Sequence, residues 1–549
     1  MYSILYKKLI IISLYVIINT IISWYFNGQS LLGVDDANIY FIFMQNLSEG
    51  GGFVYNAGSE RIEPTSILWT IIGSFIFIFS NSPEFVLILL NIVLITFTLY
   101  RITCFIDKYF TTRYIISLES IMFLIFLAII PGYFDWTILS LMDTGIWSAL
   151  LLLASINILD EHEDKNKQNI EFITLSILII LCRPDGLLWA PFLTILKLFK
   201  SYIHHNSFFN TISKHKILIC TNLLTIIFLI SWRLYYFGYP FPNSYYAKVS
   251  FDILYNIKIG IFYVYNYCRQ NPFVIIVLFM GIKIIFKSKL NIVTKSVNIV
   301  QYSIPIIIIT LIIPLYTGGD HFGYSRYIQA TVPIIWLCFL FCSDALKLPT
   351  KNTYVNFILI FFIGFIPRNS YFEYFDHDSI IKKEWIIPIY GREEGSKLNK
   401  LFESLSTHPS IAVITAGGIP YVYKGFTYDL MGLNNVEMAH AKKVKPRNLL
   451  KHHASFDKTV FYKQKPDLII NGRQTIHHSN FDPEKFLCNE QVVWGMSLLG
   501  NIHLDENFNK KYIFAAIRNN NYDFIWKGYC SRKFLETLDK NHFTYYSCY

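Results

Sequence analysis

Long apolar runs, separated by short polar stretches, recur along the first 368 positions of the chain. A helix needs about 20 mainly apolar residues to cross a bilayer, and about eleven runs approach that length. The pattern predicts spans at 9–26, 66–81, 84–105, 114–131, 137–158, 171–199, 217–236, 272–287, 299–316, 327–346 and 353–367. Residues 1–368 are therefore predicted to form a polytopic α-helical membrane domain.

One of these runs, 171–199, is interrupted by the sequence Arg183-Pro-Asp-Gly186. Proline weakens a helix at this point, and two charges at membrane depth are costly. The run can form one broken span or two short half-helices, and the second choice would move the C-terminal tail to the other side. We favour one net crossing, because it keeps the basic loops 200–216, 287–298 and 347–352 on the side of the N terminus.

The pattern changes from about residue 369 onward. Apolar runs shorten to strand length, as at 411–414 and 467–470, and turn residues or polar, helix-like stretches separate them. Short runs of this kind between turns predict strands. Residues 369–549 are therefore predicted to form a C-terminal soluble domain of mixed α and β structure, of ordinary domain size.

Composition and charge agree with a membrane protein. Only 16% of the residues are charged, against about 25% in soluble proteins. The net charge of +10 alone would suggest a nucleic-acid partner, but the Lys and Arg residues cluster in short loops between apolar runs, which is the positive-inside pattern. We therefore predict a multi-pass protein of the cytoplasmic (inner) membrane that contacts membrane lipids and no nucleic acid, with its C-terminal domain extracytoplasmic.

Two adjacent carboxylates, Asp35 and Asp36, follow the first apolar run directly. One of them can cap the helix predicted to begin near Ala37, since Asp is a good N-cap residue. A cap needs one acid, however, and the loop that follows adds Arg61 and Glu63, so a polar pocket at the membrane surface is an equal alternative. From the residues alone, capping and catalysis are balanced.

Further polar residues stand at the predicted outer ends of later spans. They are Tyr245, Lys248, Asp320, His321 and Arg326. An arginine offers a planar fork of donors that suits a phosphate. The alternatives are an interfacial aromatic belt for the loop before Lys248 and a snorkelling side chain for Arg326. At membrane depth, Arg183 and Asp185 can simply pair with each other. Asp143 can cap a helix, line a water-filled cavity or take part in catalysis.

Several motifs are absent from the sequence: a Walker A loop, a GxGxxG after a strand, an HExxH and a GxSxG elbow. ATP-driven transport therefore has no support, and no repeat of the kind found in the halves of secondary transporters is visible. The sequence leaves the cofactor unknown. A divalent cation stays open, because carboxylates alone do not demonstrate a metal.

Segments along the chain resemble the GT-C superfamily of polytopic glycosyltransferases, and more closely the terminal arabinofuranosyltransferases of cell-wall arabinan. In the membrane part they are Asp35-Asp-Ala-Asn-Ile-Tyr-Phe41, Asn46-Leu-Ser-Glu-Gly50, Ile62-Glu-Pro-Thr-Ser-Ile-Leu-Trp69, Tyr239-Pro-Phe-Pro-Asn-Ser-Tyr-Tyr-Ala-Lys248 and Gly318-Gly-Asp320 with Arg326. In the tail they are Thr415-Ala-Gly-Gly-Ile-Pro-Tyr421, Asp429-Leu-Met-Gly-Leu-Asn434 and Lys465-Pro-Asp-Leu-Ile-Ile470. Asp143 and Ser66 depart from the family pattern, which leaves the substrate open more than the reaction class.

The resemblance implies a GT-C fold and an inverting transferase. The enzyme would move a sugar, such as the pentose arabinofuranose, from a polyprenyl-phosphate donor to a glycan or glycoprotein acceptor at the outer face of the cytoplasmic membrane. It implies Asp35 as general base, with Asp36 orienting it or binding sugar hydroxyls. The other implied substrate-binding residues are Lys248, Arg326 and Arg61 for the phosphate, Asp320 and His321 for the sugar, and Glu63 and Tyr245. The exported tail would be able to bind glycans.

Two alternatives come from other functional classes. One is a transporter or flippase for lipid-linked saccharides, which needs many spans but no acid pair beside phosphate-binding cations. The other is a non-catalytic membrane scaffold whose tail binds glycans. Turnover of the donor to free polyprenyl phosphate separates an enzyme from both.

Overall fold

The computed structural model describes residues 2–110, 114–129, 132–160, 164–205, 207–288, 294–346, 380–444, 455–477, 479, 481 and 495–547. Most of the described residues before 346 are helical, and a sheet forms only after residue 410. The predicted span at 353–367 and the basic loop at 347–352 lie outside the described residues.

Helices of very different lengths make up the membrane part. They are α1 (Tyr2–Phe26), α2 (Asp35–Ser48), α3 (Ile67–Phe79), α4 (Pro83–Tyr109), α5 (Leu118–Ile129), a π-helical turn (Asp135–Leu139), α6 (Thr144–Leu159), α7 (Lys165–Cys182), α8 (Gly186–His205), α9 (Phe208–Phe237), α10 (Asn243–Lys248), α11 (Ile253–Gln270), α12 (Phe273–Ser288), α13 (Lys295–Thr317), a 3₁₀ turn (Gly323–Ser325), α14 (Arg326–Gln329) and α15 (Val332–Ala345).

Five of these helices, α1, α4, α8, α9 and α13, are long and apolar enough to cross a membrane. Two bent pairs pass the same test when each is taken together: α11 with α12, at an angle of 94°, and the 3₁₀ turn and α14 with α15, at 73°. Length and composition thus support five to seven spans among the described residues. The total of about eleven stays a prediction.

The C-terminal domain contains helices on both sides of a mixed sheet. Its elements are α16 (Ile380–Leu401), β1 (Ile411–Val413), α17 (Gly418–Val422), β2 (Thr427–Asp429), α18 (Val436–Ala441), α19 (Lys458–Gln464), β3 (Leu468–Ile470), β4 (Thr475–His477), a 3₁₀ turn (Ile502–Leu504), α20 (Glu506–Lys511), β5 (Tyr512–Asn519), β6 (Phe524–Ser531), α21 (Arg532–Thr537) and β7 (Phe543–Ser547). The predicted mixed α and β structure of the tail is confirmed.

The sheet has the order β2-β1-β3-β6-β5-β7, with β4 paired to β6. Strands β2, β1 and β3 are parallel, and the others pair antiparallel. Side chains alternate between two cores along β1: Ile411 and Val413 pack with α16, whereas Ala412 packs with α19. This alternation is the period of two expected for a strand buried on both faces.

The carboxyl ends of the parallel strands contact the membrane part. After β1, the backbone N–H groups of Gly417 and Gly418 donate to Asp35. After β2, the carbonyls of Gly432 and Leu433 accept from the side chain of Asn243, the first residue of α10. This edge is where open α/β sheets bind ligands, and here it meets the helices that carry the predicted site.

Helices α7 and α8 run in opposite directions, so the prediction of one net crossing at 171–199 is wrong. The start of α7 and the end of α8 both contact the end of α6, because Asn157 donates to the Gln168 carbonyl and accepts from Lys197. The turn between α7 and α8 instead contacts the start of α6, through Arg183 and Asp143. Proline and glycine therefore form a turn between two helices here, and the charges lie at the helix ends.

The predicted span at 66–81 is a helix of 13 residues, α3, which is about 20 Å long against a hydrocarbon core of about 30 Å. Thr65, just before it, bonds Ser244 next to the C-terminal domain. Glu84, just after it, bonds Arg392 of that domain. Both ends of α3 therefore lie on the side that carries the C-terminal domain, and α3 is not a full crossing.

Candidate functional site

Asp35 joins the membrane part to the C-terminal domain. Its carboxylate accepts from Gly417 N at 3.1 Å and from Gly418 N at 2.8 Å. The N-cap residue of α2 is Val34, and no side chain caps that helix. Neither Asp35 nor Asp36 is therefore a helix cap. Burial raises the pKa of Asp35 to about 6, with the nearby Asp36 charge adding to the effect and the two N–H groups opposing it.

Asp36 faces a different direction and lines a cavity of about 440 Å³. Its Oδ2 lies 3.7 Å from Nη1 of Arg326 and 4.0 Å from Nζ of Lys248. The cavity volume is in the range of about 300–1,000 Å³ that ligand sites occupy. The charged residues in its lining are Asp36, Glu63, Asp143, Arg183, Asp185, Lys248, Asp320 and Arg326.

Arg326 is held from several sides. Its Nε donates to Asp320 Oδ2 at 2.9 Å, and its guanidinium lies 3.9 Å from the ring centroid of Phe322. Tyr324 and Ser325, just before it, have φ angles of 57° and 51°, which are uncommon for residues other than glycine and often mark functional sites. The other oxygen of Asp320, Oδ1, is buried without a hydrogen-bond partner among the described residues, so it can accept from a ligand hydroxyl.

Lys248 ends α10, a short helix that follows Pro240 and Pro242. Burial lowers the pKa of Lys248, while Asp36 opposes that effect. Tyr245 lies on the same helix and also lines the cavity. Since Asn243 bonds two carbonyls of the C-terminal domain, that domain positions the lysine.

A third cation of the cavity, Arg183, was assigned no site role from the sequence. Its Nη1 contacts both oxygens of Asp143 at 3.1 Å, and its Nε donates to Asp185 at 3.1 Å. The sequence did contain a signal for such a role, because Arg-Pro-Asp-Gly interrupts an apolar run. A charge at that depth is energetically costly unless it is paired. The predicted Arg183–Asp185 pairing is observed, and Asp143 joins it.

Glu63 forms a buried ion pair with Arg233 of α9, at 2.8 Å. Only one oxygen of Glu63 is used, and Oε2 is buried without a hydrogen-bond partner among the described residues. Burial raises the pKa of Glu63 to about 7, against the opposing charge of Arg233. Arg233 was missed in the sequence, although it is a single charge inside an apolar run.

Three predicted site residues are absent from the cavity lining that the described residues form. They are Asp35, Arg61 and His321. The guanidinium of Arg61 lies over the ring of Tyr236, at 4.3 Å, and the exposed His321 stacks on Phe322. Asp36, Glu63, Tyr245, Lys248, Asp320 and Arg326 are brought together as predicted.

The structure adds one acid that the sequence did not suggest, Glu384 of α16. Its pKa is raised to about 7, mainly by burial and further by the nearby charge of Asp36, while Arg326 opposes the rise. It therefore lies within electrostatic reach of the cavity. Nothing in the sequence around Glu384 predicts this position.

The lining combines two kinds of surface. The charged groups lie beside apolar and aromatic residues from α8, from α10 and its flanks, and from the end of α13: Leu187, Leu188, Phe241, Val249 and Tyr316. Leu188 and Tyr316 are also exposed on the surface of the helices. Such a cavity suits an amphipathic ligand with an anionic group. Among the described residues, no group of three or more His, Cys, Asp or Glu side chains is arranged to hold a metal ion.

A family model described as Domain of unknown function (DUF8728) matches residues 391–533. The match covers most of the C-terminal domain and less than half of the chain, so it does not assign a family to the whole protein. Comparison with curated proteins found no match.

Among solved structures, the chain is similar to the apo oligosaccharyltransferase of Archaeoglobus fulgidus, with a TM-score of 0.48 at 12% identity, covering 96% of this chain and 74% of that one. It is also similar to the oligosaccharyltransferase AglB from Archaeoglobus fulgidus in complex with an inhibitory peptide and a dolichol-phosphate, with a TM-score of 0.44, 12% identity and the same coverage. TM-scores below 0.5 assign neither a fold nor an activity to this chain.

Proposed function

We propose that this protein is a membrane glycosyltransferase. It would move a sugar, a pentose such as arabinofuranose, with inversion from a polyprenyl-phosphate donor to a hydroxyl of a glycan or glycoprotein acceptor. The observation that carries the proposal is the position of Asp36, between Lys248 and Arg326 in a cavity that is charged in one part and apolar in another. The family resemblance of these same segments supports it.

The donor has a place for each of its parts. Lys248 and Arg326 would bind the phosphate and neutralise the charge that develops on it as it leaves. Their distances from Asp36, 4.0 and 3.7 Å, are longer than hydrogen bonds, so a phosphate can approach both cations without breaking a hydrogen bond to Asp36. The apolar residues of α8 and α13, among them Leu188 and Tyr316, would accept the start of the polyprenyl chain.

We assign the base to Asp36, whereas the resemblance gave that role to Asp35. Asp36 lines the cavity, and both oxygens of Asp35 accept backbone N–H groups of the C-terminal domain. In the reaction, Asp36 takes the proton of the acceptor hydroxyl and the acceptor oxygen bonds to the anomeric carbon. The bond from that carbon to the phosphate oxygen breaks, and the phosphate leaves with the electron pair.

Charge distribution supports an extracytoplasmic site. Basic residues at the end of the helices opposite the cavity contact acids or carbonyls there: Lys8 bonds Asp107, Lys108 bonds Asp160, and Lys200 bonds the Ile158 carbonyl. Positive loops mark the cytoplasmic side of membrane proteins. On this basis the cavity and the C-terminal domain would face away from the cytoplasm.

The test uses the purified full-length chain with polyprenyl-phosphoryl arabinofuranose and follows release of free polyprenyl phosphate. Asp36→Asn should reduce release by at least roughly a hundredfold, the usual scale for losing a general base. Asp539→Asn, an exposed acid of the C-terminal domain, is the matched control. An intact donor with the unaltered protein would favour the flippase, and full activity of Asp36→Asn with none in Asp35→Asn would return the base to Asp35.

A further inference from the structure

The loop 429–434, at the carboxyl end of β2, reaches from the C-terminal domain into the cavity. Leu433 and Asn434 are part of the cavity lining. We propose that this loop is the acceptor-binding wall of the site, with Asn434 hydrogen-bonding a sugar hydroxyl of the acceptor glycan. The inference rests on the proposed transferase function and adds a residue to which nothing else assigns a role.

Asp429 holds the loop in shape. Its fully buried carboxylate accepts from Met431 N at 2.8 Å, from Asn434 N at 2.8 Å and from Asn434 Nδ2 at 3.1 Å. Gly432 has a φ of +77°, and a Cβ there would stand 2.9 Å from Ala439 N, so the turn requires glycine. A loop with this many internal bonds is rigid enough to present one side chain in one orientation.

Asn434 has the chemistry of a hydroxyl receptor. Its side chain is 6% exposed, and its Nδ2 is engaged by Asp429. Its Oδ1 has no hydrogen-bond partner among the residues that the structure describes. With the amide orientation set by Asp429, the group left for a ligand is an acceptor, which suits the O–H of a sugar.

The acceptor, rather than the donor, fits this wall. The donor's phosphate and lipid are matched by Lys248, Arg326 and the apolar residues of the helices, all from the membrane part. A glycan acceptor arrives from the aqueous side, which the C-terminal domain covers. Asn243 also hydrogen-bonds the loop to α10, the helix that carries Lys248. The residue that would contact the acceptor and the lysine that would contact the phosphate are therefore held by the same contact.

The C-terminal domain has a direct role in the cavity. A glycan-binding module that acts at a distance would need no residue in the cavity. Here the domain contributes two residues to the cavity lining and positions Lys248 through Asn243. The domain is therefore part of the acceptor site itself.

The experiment measures acceptor KM and water-driven donor release in parallel, using the full-length protein and polyprenyl-phosphoryl arabinofuranose. The acceptor probes are octyl glycosides of arabinofuranose, galactofuranose, mannose and glucose, and the one that the unaltered protein uses best is kept. Asn434→Ala should raise the KM for that probe by at least tenfold while donor release to water stays within twofold. The control is Asn520→Ala, an exposed asparagine of the same domain.

Two further variants separate contact from folding. Leu433→Ala removes a lining side chain and leaves every hydrogen bond of Asp429 in place, so it should raise acceptor KM even if Asn434→Ala does not fold. Asp429→Asn should raise acceptor KM through loss of positioning, with donor release retained.

The outcomes are distinct. Unchanged acceptor KM in Asn434→Ala and Leu433→Ala overturns the inference and leaves the transferase standing. Loss of water-driven release together with transfer in these variants also overturns it, since the loop would then serve the donor. If the unaltered protein releases no sugar to any probe or to water, the proposed function fails and the inference falls with it.

Discussion

Asp36 and Arg326 lie 3.7 Å apart, although Asp36 is in the first turn of α2 and Arg326 begins α14. The pair is loose for an ion pair, and each member has a further partner nearby: Lys248 for Asp36 and Asp320 for Arg326. This arrangement brings two cations and two carboxylates together at the cavity. A ligand with a phosphate and a hydroxyl can complete it.

The first prediction concerns the shape of the Arg326 side chain. Arg326→Lys keeps the positive charge but loses the planar fork that bonds Asp320 while lying over Phe322. We expect the KM for the polyprenyl-phosphate donor to rise at least tenfold, which corresponds to about 1.4 kcal/mol. Arg269→Lys, an exposed arginine at the end of α11, should change nothing. Equal donor KM in both variants would rule out a phosphate role for Arg326.

The second prediction concerns the Glu63–Arg233 pair, whose side chains are 1% and 2% exposed. Arg233→Met leaves a buried carboxylate unpaired and should cost about 3–5 kcal/mol, seen as a lower midpoint of thermal unfolding. Replacing both partners, as Glu63→Leu with Arg233→Met, should recover most of that loss, because no unpaired charge is left buried. The double variant should still bind donor poorly, since Glu63 lines the cavity.

An exposed pair gives the comparison for this experiment. Lys463 and Glu437 bond at the surface of the C-terminal domain, and Lys463→Ala should cost less than about 1 kcal/mol. If Arg233→Met and Lys463→Ala lowered the stability by the same small amount, the buried ion pair would not contribute to stability.

Charges at the ends of apolar runs were the part of the site that the sequence could predict. Burying a charge is costly, so a charge retained there needs a reason, and Asp36, Lys248, Asp320 and Arg326 do line one cavity. What single-sequence reasoning could not supply is the partner of each group. The Gly417 and Gly418 N–H groups that hold Asp35 come from a distant domain, and backbone donors have no sequence signature.

The membrane spans were predicted less well. One run was wrongly counted as a crossing and another was counted once instead of twice, so the two errors cancel in the number of crossings. α3 was counted as a crossing because it is strongly apolar, although it is too short to cross and packs on α2. The run 171–199 was counted once, although α7 and α8 are two antiparallel helices. Hydropathy averages over a window and does not register a reversal of direction. With one crossing too many and one too few, the C-terminal domain was still expected on the side of Asp35, where it lies.

The third prediction follows from the corrected path. The start of α7 lies at the end of the helices opposite the cavity, whereas the predicted spans placed it on the cavity side. Asn166→Cys, in a chain whose native cysteines are replaced by serine, should react with a membrane-impermeant maleimide only from the side of the N terminus. Glu60→Cys, in the loop before α3, should react only from the other side. Labelling of both from one side would contradict the antiparallel arrangement of α7 and α8.

The fourth prediction is a pH dependence that originates at Asp35. Burial raises its pKa to about 6 from 3.8, so between these values the folded chain holds more protons than the unfolded chain. Stability from this group is therefore fully present below pH 3.8 and is lost as the pH rises through about 6, by about 3 kcal/mol. Asp35→Asn removes the titration, and its unfolding midpoint should fall less between pH 4 and pH 7 than that of the unaltered protein.

Other buried acids also titrate in this window, so the difference between the two proteins is the quantity to compare. Burial raises the pKa of Asp429 to about 6 as well. Asp539→Asn, a change of an exposed acid of the C-terminal domain, is the control variant. Parallel curves for Asp35→Asn and the unaltered protein would mean that the Asp35 carboxyl ionises as freely when folded as when unfolded.

The last prediction concerns the contact through which the two domains meet. A Cβ at Gly417 would stand 1.9 Å from the backbone oxygen of Asp35, so Gly417→Ala must push the loop after β1 away from α2. Because that loop and the start of α2 hold Asp36 beside the C-terminal domain, we expect sugar transfer to fall at least tenfold, while circular dichroism stays unchanged. Gly472→Ala, at the end of β3, meets no atom within 4 Å and should cost only about 1 kcal/mol for its positive φ. Equal activity in the two variants would show that the site works without close contact between the domains.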